Sequence, residues 1–205
     1  MQAHDLWGLE RELRERGCRL ICGADEAGAG PLAGDVYAGA VILPFGLKLD
    51  GLNDSKQVSP KKREVLFDLI RKGAVAWAVA SVDPETIDRI NILNARLLAM
   101  EKAITALSTA PDFTLIDGNR DKGITCLHRT VIRGDGLSAN IAAASILAKV
   151  SRDRCMEKLA LQYPQYEFEK HKGYPTRRHY ELLREYGPSP IHRKSFLKKF
   201  YGEKA

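Results

Sequence analysis

The chain has 205 residues, with 44% hydrophobic, 28% charged and 7% aromatic, an ordinary globular composition long enough to bury a core without staples. Its four cysteines (Cys18, Cys22, Cys126, Cys155) form no C-x-x-C pair, no apolar run reaches the ~18 residues of a membrane helix, and Met1 to Arg16 mix both signs of charge; a disulfide framework, a zinc site, a membrane span and a secretory signal are therefore not expected, and a soluble cytoplasmic protein is. Net charge is +6, and residues 170–205 hold ten Lys/Arg against three Glu while the remainder is nearly balanced, an asymmetry that suits a polyanionic partner but also a solvated, lysine-rich final helix.

Leu6, Leu9 and Leu13 share one helical face over residues 5–16, and Gly17 stops that helix. Residues 19–24 read as a short buried strand, followed by a glycine-rich loop from Gly28 to Gly34. Residues 36–43 read as a second strand, closed by Pro44 and paired with the first like a hairpin. A polar loop over 46–58 carries Asn53-Asp54-Ser55-Lys56. Ser59-Pro60 opens a helix with Val65, Leu66, Leu69 and Ile70 on one face, ended by Gly73. Residues 74–82 are a third strand. Asp83-Pro84-Glu85 caps one long helix through Leu107, with Ile87, Ile90, Leu93, Leu97, Met100 and Ile104 as its stripe. Strands at 113–116 and 124–132 end at Asp117-Gly118 and Gly134-Asp135-Gly136. A helix runs from about Ser138 to Gln162, alanine-rich in its first half, and basic helical segments follow at about 176–186 and 193–200. This order predicts an α/β fold, one sheet covered by helices, with 74–117 fitting a crossover unit.

Four acids stand where strands become loops: Asp25, Glu26, Asp117 and Asp135. On adjacent strands ~4.8 Å apart they would share one cluster and repel. Divalent cations or salt bridges to Arg/Lys would relieve that repulsion, and oxygen-only ligands suit Mg²⁺ or Mn²⁺. Two such ions ~3.5–4 Å apart can support phosphodiester hydrolysis. Taken singly, each acid reads first as a turn residue or helix cap, Asp117-Gly118 and Asp135-Gly136 being ordinary turn dipeptides, and only all four in one pattern on a protein with a basic end raise the metal reading above that.

The local strings are more specific. Gly23-Ala24-Asp25-Glu26-Ala27-Gly28 with Gly30-Pro31-Leu32-Ala33-Gly34, then Leu52-Asn53-Asp54-Ser55-Lys56, then Asp117-Gly118-Asn119, resemble successive motifs of bacterial type 2 ribonuclease H, the ribonuclease HII family. Gly134-Asp135 with the run Ile141 to Arg154, His171-Lys172-Gly173-Tyr174-Pro175-Thr176 and His192-Arg193-Lys194-Ser195-Phe196 resemble the remaining ones, in family order over residues 20–200.

The resemblance implies a ribonuclease H-like fold, a five-stranded mixed sheet flanked by helices. It also implies a catalytic domain over 1–165 and a basic helical extension over 166–205 packed on it. It implies hydrolysis of the RNA strand of RNA–DNA hybrids, and incision 5′ of single ribonucleotides in duplex DNA, leaving 3′-hydroxyl and 5′-phosphate ends. It assigns metal binding to Asp25, Glu26, Asp117 and Asp135, sugar stacking to Tyr174, a phosphate contact to Lys56, and 2′-hydroxyl sensing to the loop with Gly28 and Gly30. Between those glycines the family most often has arginine, and here it is Ala29; Gln57 stands where a second lysine is usual. The type 3 enzymes usually carry glutamate as their fourth acid, and this chain has Asp135.

Several residues carry two readings. Lys149, Arg152 and Arg154 are candidates to line a substrate groove, or to pair with Asp153 and Glu157 on the helix surface. Asp153 fits either support of the metal site or a salt bridge. His171, His179 and His192 lack metal-ligand spacing and are expected at the surface or on phosphates. The tail from Phe196 to Tyr201 lacks the glutamine that opens sliding-clamp motifs, so packing on the core is expected of it, and a monomer of the whole.

Overall fold

The computed structural model describes residues 5–198 and 200–202. The elements run α1 (Gly8–Glu15), β1 (Ile21–Ala27), β2 (Val36–Ile42), α2 (Pro60–Gly73), β3 (Ala76–Val82), α3 (Pro84–Ile90), α4 (Ile92–Thr105), β4 (Phe113–Asp117), β5 (His128–Val131), α5 (Ala139–Gln162), α6 (Phe168–His171), α7 (Arg177–Tyr186) and α8 (Lys194–Leu197). One five-stranded sheet has the order β3-β2-β1-β4-β5. β2 is antiparallel to β1, as a hairpin-like start predicts, and also to β3. β4 is parallel to β1 and to β5. β3 and β4 therefore run the same way, and the chain between them crosses over β2 and β1.

Helices cover both faces. Cys22, Ala24, Ala38 and Ala40 pack against Ala95, Ala99, Met100 and Ala103 of α4. On the other face, Val41 meets Ala143, Ala144 and Leu147 of α5, with Leu66, Phe67 and Ile70 of α2 beside them. The sheet can accept α5 so closely because it offers glycines: a Cβ on Gly39 would lie 2.4 Å from the Ala144 carbonyl oxygen. α5 begins where the sequence places it, capped by Ser138, whose Oγ accepts the Ile141 N–H at 3.2 Å. The buried Glu10 carboxylate accepts from Ser138 Oγ at 2.6 Å and Asn140 N at 3.2 Å, placing negative charge at the positive end of that helix.

Three expectations change. The single helix expected through Leu107 is two, because Asn91 adopts φ 63°, ψ 163° and caps α4 by accepting the Asn94 N–H at 3.1 Å. An amide side chain competes for backbone donors in this way. Leu93, counted in the buried stripe, is consequently exposed. The fifth strand shortens to β5, since Thr125 is held by Glu101 rather than by a strand neighbour.

The histidines are the third correction. His179 is 0% and His192 2% exposed, packed among the rings of Tyr166 and Phe168. Ser189 N–H donates to His192 Nδ1 at 2.9 Å, so His192 carries its proton on Nε2 and donates it to His179 Nε2 at 3.0 Å. His179 then donates from Nδ1 to the Tyr174 carbonyl at 3.0 Å. Burial pushes both imidazoles down to about 4, so both are neutral at pH 7. The half-buried His171 stacks on His179 with centroids 4.3 Å apart.

The C-terminal helices seat Phe168, Leu182, Leu183 and Leu197 on Leu32, Ala33, Met156 and Ala160. Phe196 and Phe200 pack against this cluster, as expected of the tail, while Lys199 of the last expected helix lies outside the described residues. No helix among the described residues is long and apolar enough to cross a membrane.

Candidate active site

β1 and β4 are neighbours, and their register pairs Ala24 with Ile116. The next step along both strands brings Asp25 beside Asp117. Carboxylate oxygens of Asp25, Glu26 and Asp117 lie within 4.8 Å of one another. Asp135 is outside this trio, in a single turn over Gly134–Gly136 just ahead of α5. That turn is tied to the trio, because Gly134 N–H donates to Asp117 Oδ1 at 2.7 Å.

The cluster is electrostatically strained. Burial pushes the Asp25 carboxyl well above the usual range, and Glu26, Asp117 and Asp135 push it further. Burial also raises Glu26, against the pull of Arg96 on α4, whose Nη1 is 3.2 Å away. Asp135 is pushed up to about 6 by burial, by Asp54 and by Asp117. Burial alone would lower Lys56, yet Asp54, Asp25, Asp135 and Asp117 raise it overall. Carboxylates that raise one another's pKa are short of positive charge. An all-oxygen donor set with that deficit fits a hard divalent cation such as Mg²⁺ or Mn²⁺.

Asp25 and Glu26 of the trio line a cleft of about 260 Å³, together with Gly28, Ala29, Gly30, Ser55, Lys56, Lys149 and Tyr174. A neighbouring hollow of about 460 Å³ holds Asp54, Asp117, Arg133 and Asp135, and Lys56 borders both. Lys56 is set there by its loop. Ser55 N–H donates to Ser145 Oγ of α5 at 3.1 Å, and Lys56 N–H to Asp54 Oδ1 at 2.9 Å. Lys149 lines the cleft while pairing with Asp153 at 2.7 Å, so Asp153 serves a lysine.

Tyr174 closes the far side with its ring partly exposed. Lys149 Nζ lies 5.7 Å from its ring centroid and the Arg152 guanidinium carbon 5.6 Å. Arg152 requires a correction as a substrate-binding residue: it is 1% exposed and faces inward. It donates to the carbonyls of Ala33 at 3.2 Å, Asp35 at 3.2 Å and Lys172 at 3.0 Å. Arg154 also leaves the groove, pairing with Glu64 and lying 4.4 Å from the Phe67 ring centroid.

Gly28 has φ +95°, and a Cβ there would lie 2.1 Å from Arg152 Nε, so the loop lies flat on that guanidinium. Sequence reasoning missed Asp54, although it stands two residues before Lys56 in a string already singled out. It also missed Arg96, one cation among many on a core helix, and Arg193. Periodicity signals none of these roles.

Comparison with known proteins bears on the family and the fold. The family model described as ribonuclease HII matches residues 22–199. Ribonuclease HII of Caldicellulosiruptor saccharolyticus is 53% identical over 190 residues, covering 93% of this chain and 93% of that one. Among solved structures, ribonuclease H2 from Pyrococcus horikoshii superposes with a TM-score of 0.70 at 25% identity, covering 90% of this chain and 99% of that one. Bst-RNase HIII in complex with Mn²⁺ shares the fold, with a TM-score of 0.64 at 18% identity, over 82% of this chain and 63% of that one. A match over most of the length, on a sheet that carries the expected acids at its strand ends, leaves one assignment: the chain belongs to the ribonuclease HII family.

Proposed function

We propose that this chain is a metal-dependent endoribonuclease that hydrolyses the RNA strand of RNA–DNA hybrids and incises duplex DNA 5′ of single ribonucleotides, leaving 3′-hydroxyl and 5′-phosphate ends. The observation that carries the reading is the convergence of Asp25, Glu26 and Asp117 within 4.8 Å, the first two lining a cleft with Lys56, Lys149 and Tyr174. Asp25, Glu26, Asp117 and Asp135 would hold Mg²⁺ or Mn²⁺, which when bound supplies the charge to activate a water and stabilise a leaving oxygen.

The chain's own residues do the rest. Lys56 and Lys149 neutralise phosphates of the cut strand. The exposed ring of Tyr174 packs on the sugar beside the scissile bond. Gly28, Ala29 and Gly30 bring backbone, without bulky side chains, against a ribose. The basic residues of 170–205 other than the buried Arg193 give sequence-independent grip on the duplex.

The deciding experiment is cleavage of a labelled DNA duplex with one ribonucleotide, beside an all-RNA/DNA hybrid, in Mg²⁺ and in Mn²⁺. Both should be cut, the first on the 5′ side of the ribonucleotide, and an all-DNA duplex should survive. Tight binding of both with cleavage of neither would make the protein a hybrid-binding module instead. The same assay reads Tyr174. Truncating a stacking ring costs about 1–3 kcal/mol, roughly 5- to 150-fold, so Tyr174→Ala should lose that much in kcat/KM while Tyr174→Phe keeps most activity. Equal damage by both would transfer the role from the ring to the hydroxyl.

A further inference from the structure

We propose that Arg193 is the positioning residue that makes the Gly28–Gly30 loop a reader of the sugar 2′-hydroxyl. The inference rests on the substrate reading above and assigns its specificity to a residue outside the cleft wall.

Arg193 is 0% exposed, yet its donors go to backbone. Nη2 donates to the carbonyls of Gly28 and Gly34, each at 2.7 Å; Nη1 donates to that of Ala29 at 3.1 Å, and Nε to that of Gly34 at 3.0 Å. Its own chain is fixed to the same loop, since Arg193 N–H donates to the Leu32 carbonyl at 2.8 Å. Burial pushes its pKa down to about 9, which still leaves it charged at neutral pH.

The consequence follows from peptide geometry. No peptide in the described residues is cis. In a trans peptide the C=O of one residue and the N–H of the next point in opposite directions. Drawing the Gly28 and Ala29 carbonyls inward onto Arg193 therefore turns the Ala29 and Gly30 N–H groups outward, on the cleft side. Among the described residues neither N–H meets an acceptor. A buried positive charge on the carbonyl side also polarises those two peptides and strengthens them as donors.

Two adjacent donors suit one oxygen that a ribose has and a deoxyribose lacks. Where that oxygen is missing, both N–H groups lose water and gain no partner, which is how a polar site rejects an analogue lacking one hydroxyl. Only a planar fork of five donors spans these carbonyls together, so lysine is no substitute. Arg152 supports the same loop from beneath Gly28.

The test is affinity in Ca²⁺ for a duplex with one ribonucleotide against the same duplex in all-DNA form. The wild type should prefer the first by about tenfold or more, the worth of two hydrogen bonds. Arg193→Lys should collapse that ratio toward one, while all-DNA affinity stays within about twofold and the circular dichroism spectrum is unchanged. A merely structural arginine would weaken both duplexes together and leave the ratio intact, and that result overturns the proposal. A wild-type ratio near one would instead remove the single-ribonucleotide reading, and the inference with it. If Arg193→Lys does not fold, amide NMR of the wild type decides. The Ala29 and Gly30 N–H resonances should shift with the ribonucleotide duplex and not with all-DNA; equal shifts with both would overturn the proposal.

Discussion

Asp25→Asn is expected to lower cleavage by at least about 100-fold, to change duplex binding in Ca²⁺ far less, and to raise the melting temperature of the chelator-treated protein. The three effects share one cause. Asp25 is buried beside Glu26 and Asp117 and is pushed upward by both. Its negative charge is a liability to the metal-free fold and a requirement for the chemistry. Asparagine keeps the shape, removes the repulsion, and removes the charge that would hold a divalent cation. Added Mg²⁺ should therefore stabilise the wild type more than the variant. Near-wild-type cleavage by Asp25→Asn would sink the assignment of this cluster. A lower melting temperature in chelator would show instead that Asp25 supports the fold.

The largest effect on stability is expected at Gly23. A Cβ there would stand 2.1 Å from the Asn140 carbonyl carbon and 2.2 Å from the Ile141 nitrogen, both backbone atoms of α5. Backbone in the first turns of a 24-residue helix cannot swing aside as a side-chain tip can. Gly23→Ala must therefore lift α5 off β1, at a cost of about 3 kcal/mol or more. For a chain of this size that is a fall of roughly 6–12 °C in melting temperature. Gly8→Ala is the matched control, because its Cβ meets nothing within 4 Å and its φ is not in the left-handed region. A melting temperature for Gly23→Ala equal to that of the control would mean that α5 has room to move.

Much of this was legible beforehand, for local reasons. Ser59, Asp83 and Ser138 each cap the helix that the sequence places after them, since a cap needs only its own next three residues. The alanine run of α5 announces a helix that lies close to something, and the glycines of β1 and β2 show what. The four acids were visible as strand-end residues, but their grouping came from family resemblance; pattern alone could not pair β1 with β4 across some 90 residues. Arg152 and Arg193 misled or went unnoticed for one reason. A cation in a basic stretch reads as surface, and its burial depends on carbonyls over 100 positions away. His179 and His192 were misjudged likewise, because their partners are each other and backbone groups, which carry no sequence signature.

The imidazole pair makes the anchoring of Tyr174 sensitive to acid. Its single internal bond exists only while one Nε2 lacks a proton, and the unfolded chain has no such restriction. Both groups titrate lower in the fold, about 4, than their ordinary 6.5. Unfolding therefore takes up protons between those values, and stability conferred by the pair is complete above about pH 6.5 and drains away as pH falls toward 4. Asp135, raised to about 6, has the opposite sign and gains from protonation as pH falls through that value, and Asp25 is raised in the same direction. Mild acid thus relaxes one wall of the cleft while loosening the segment that forms the other.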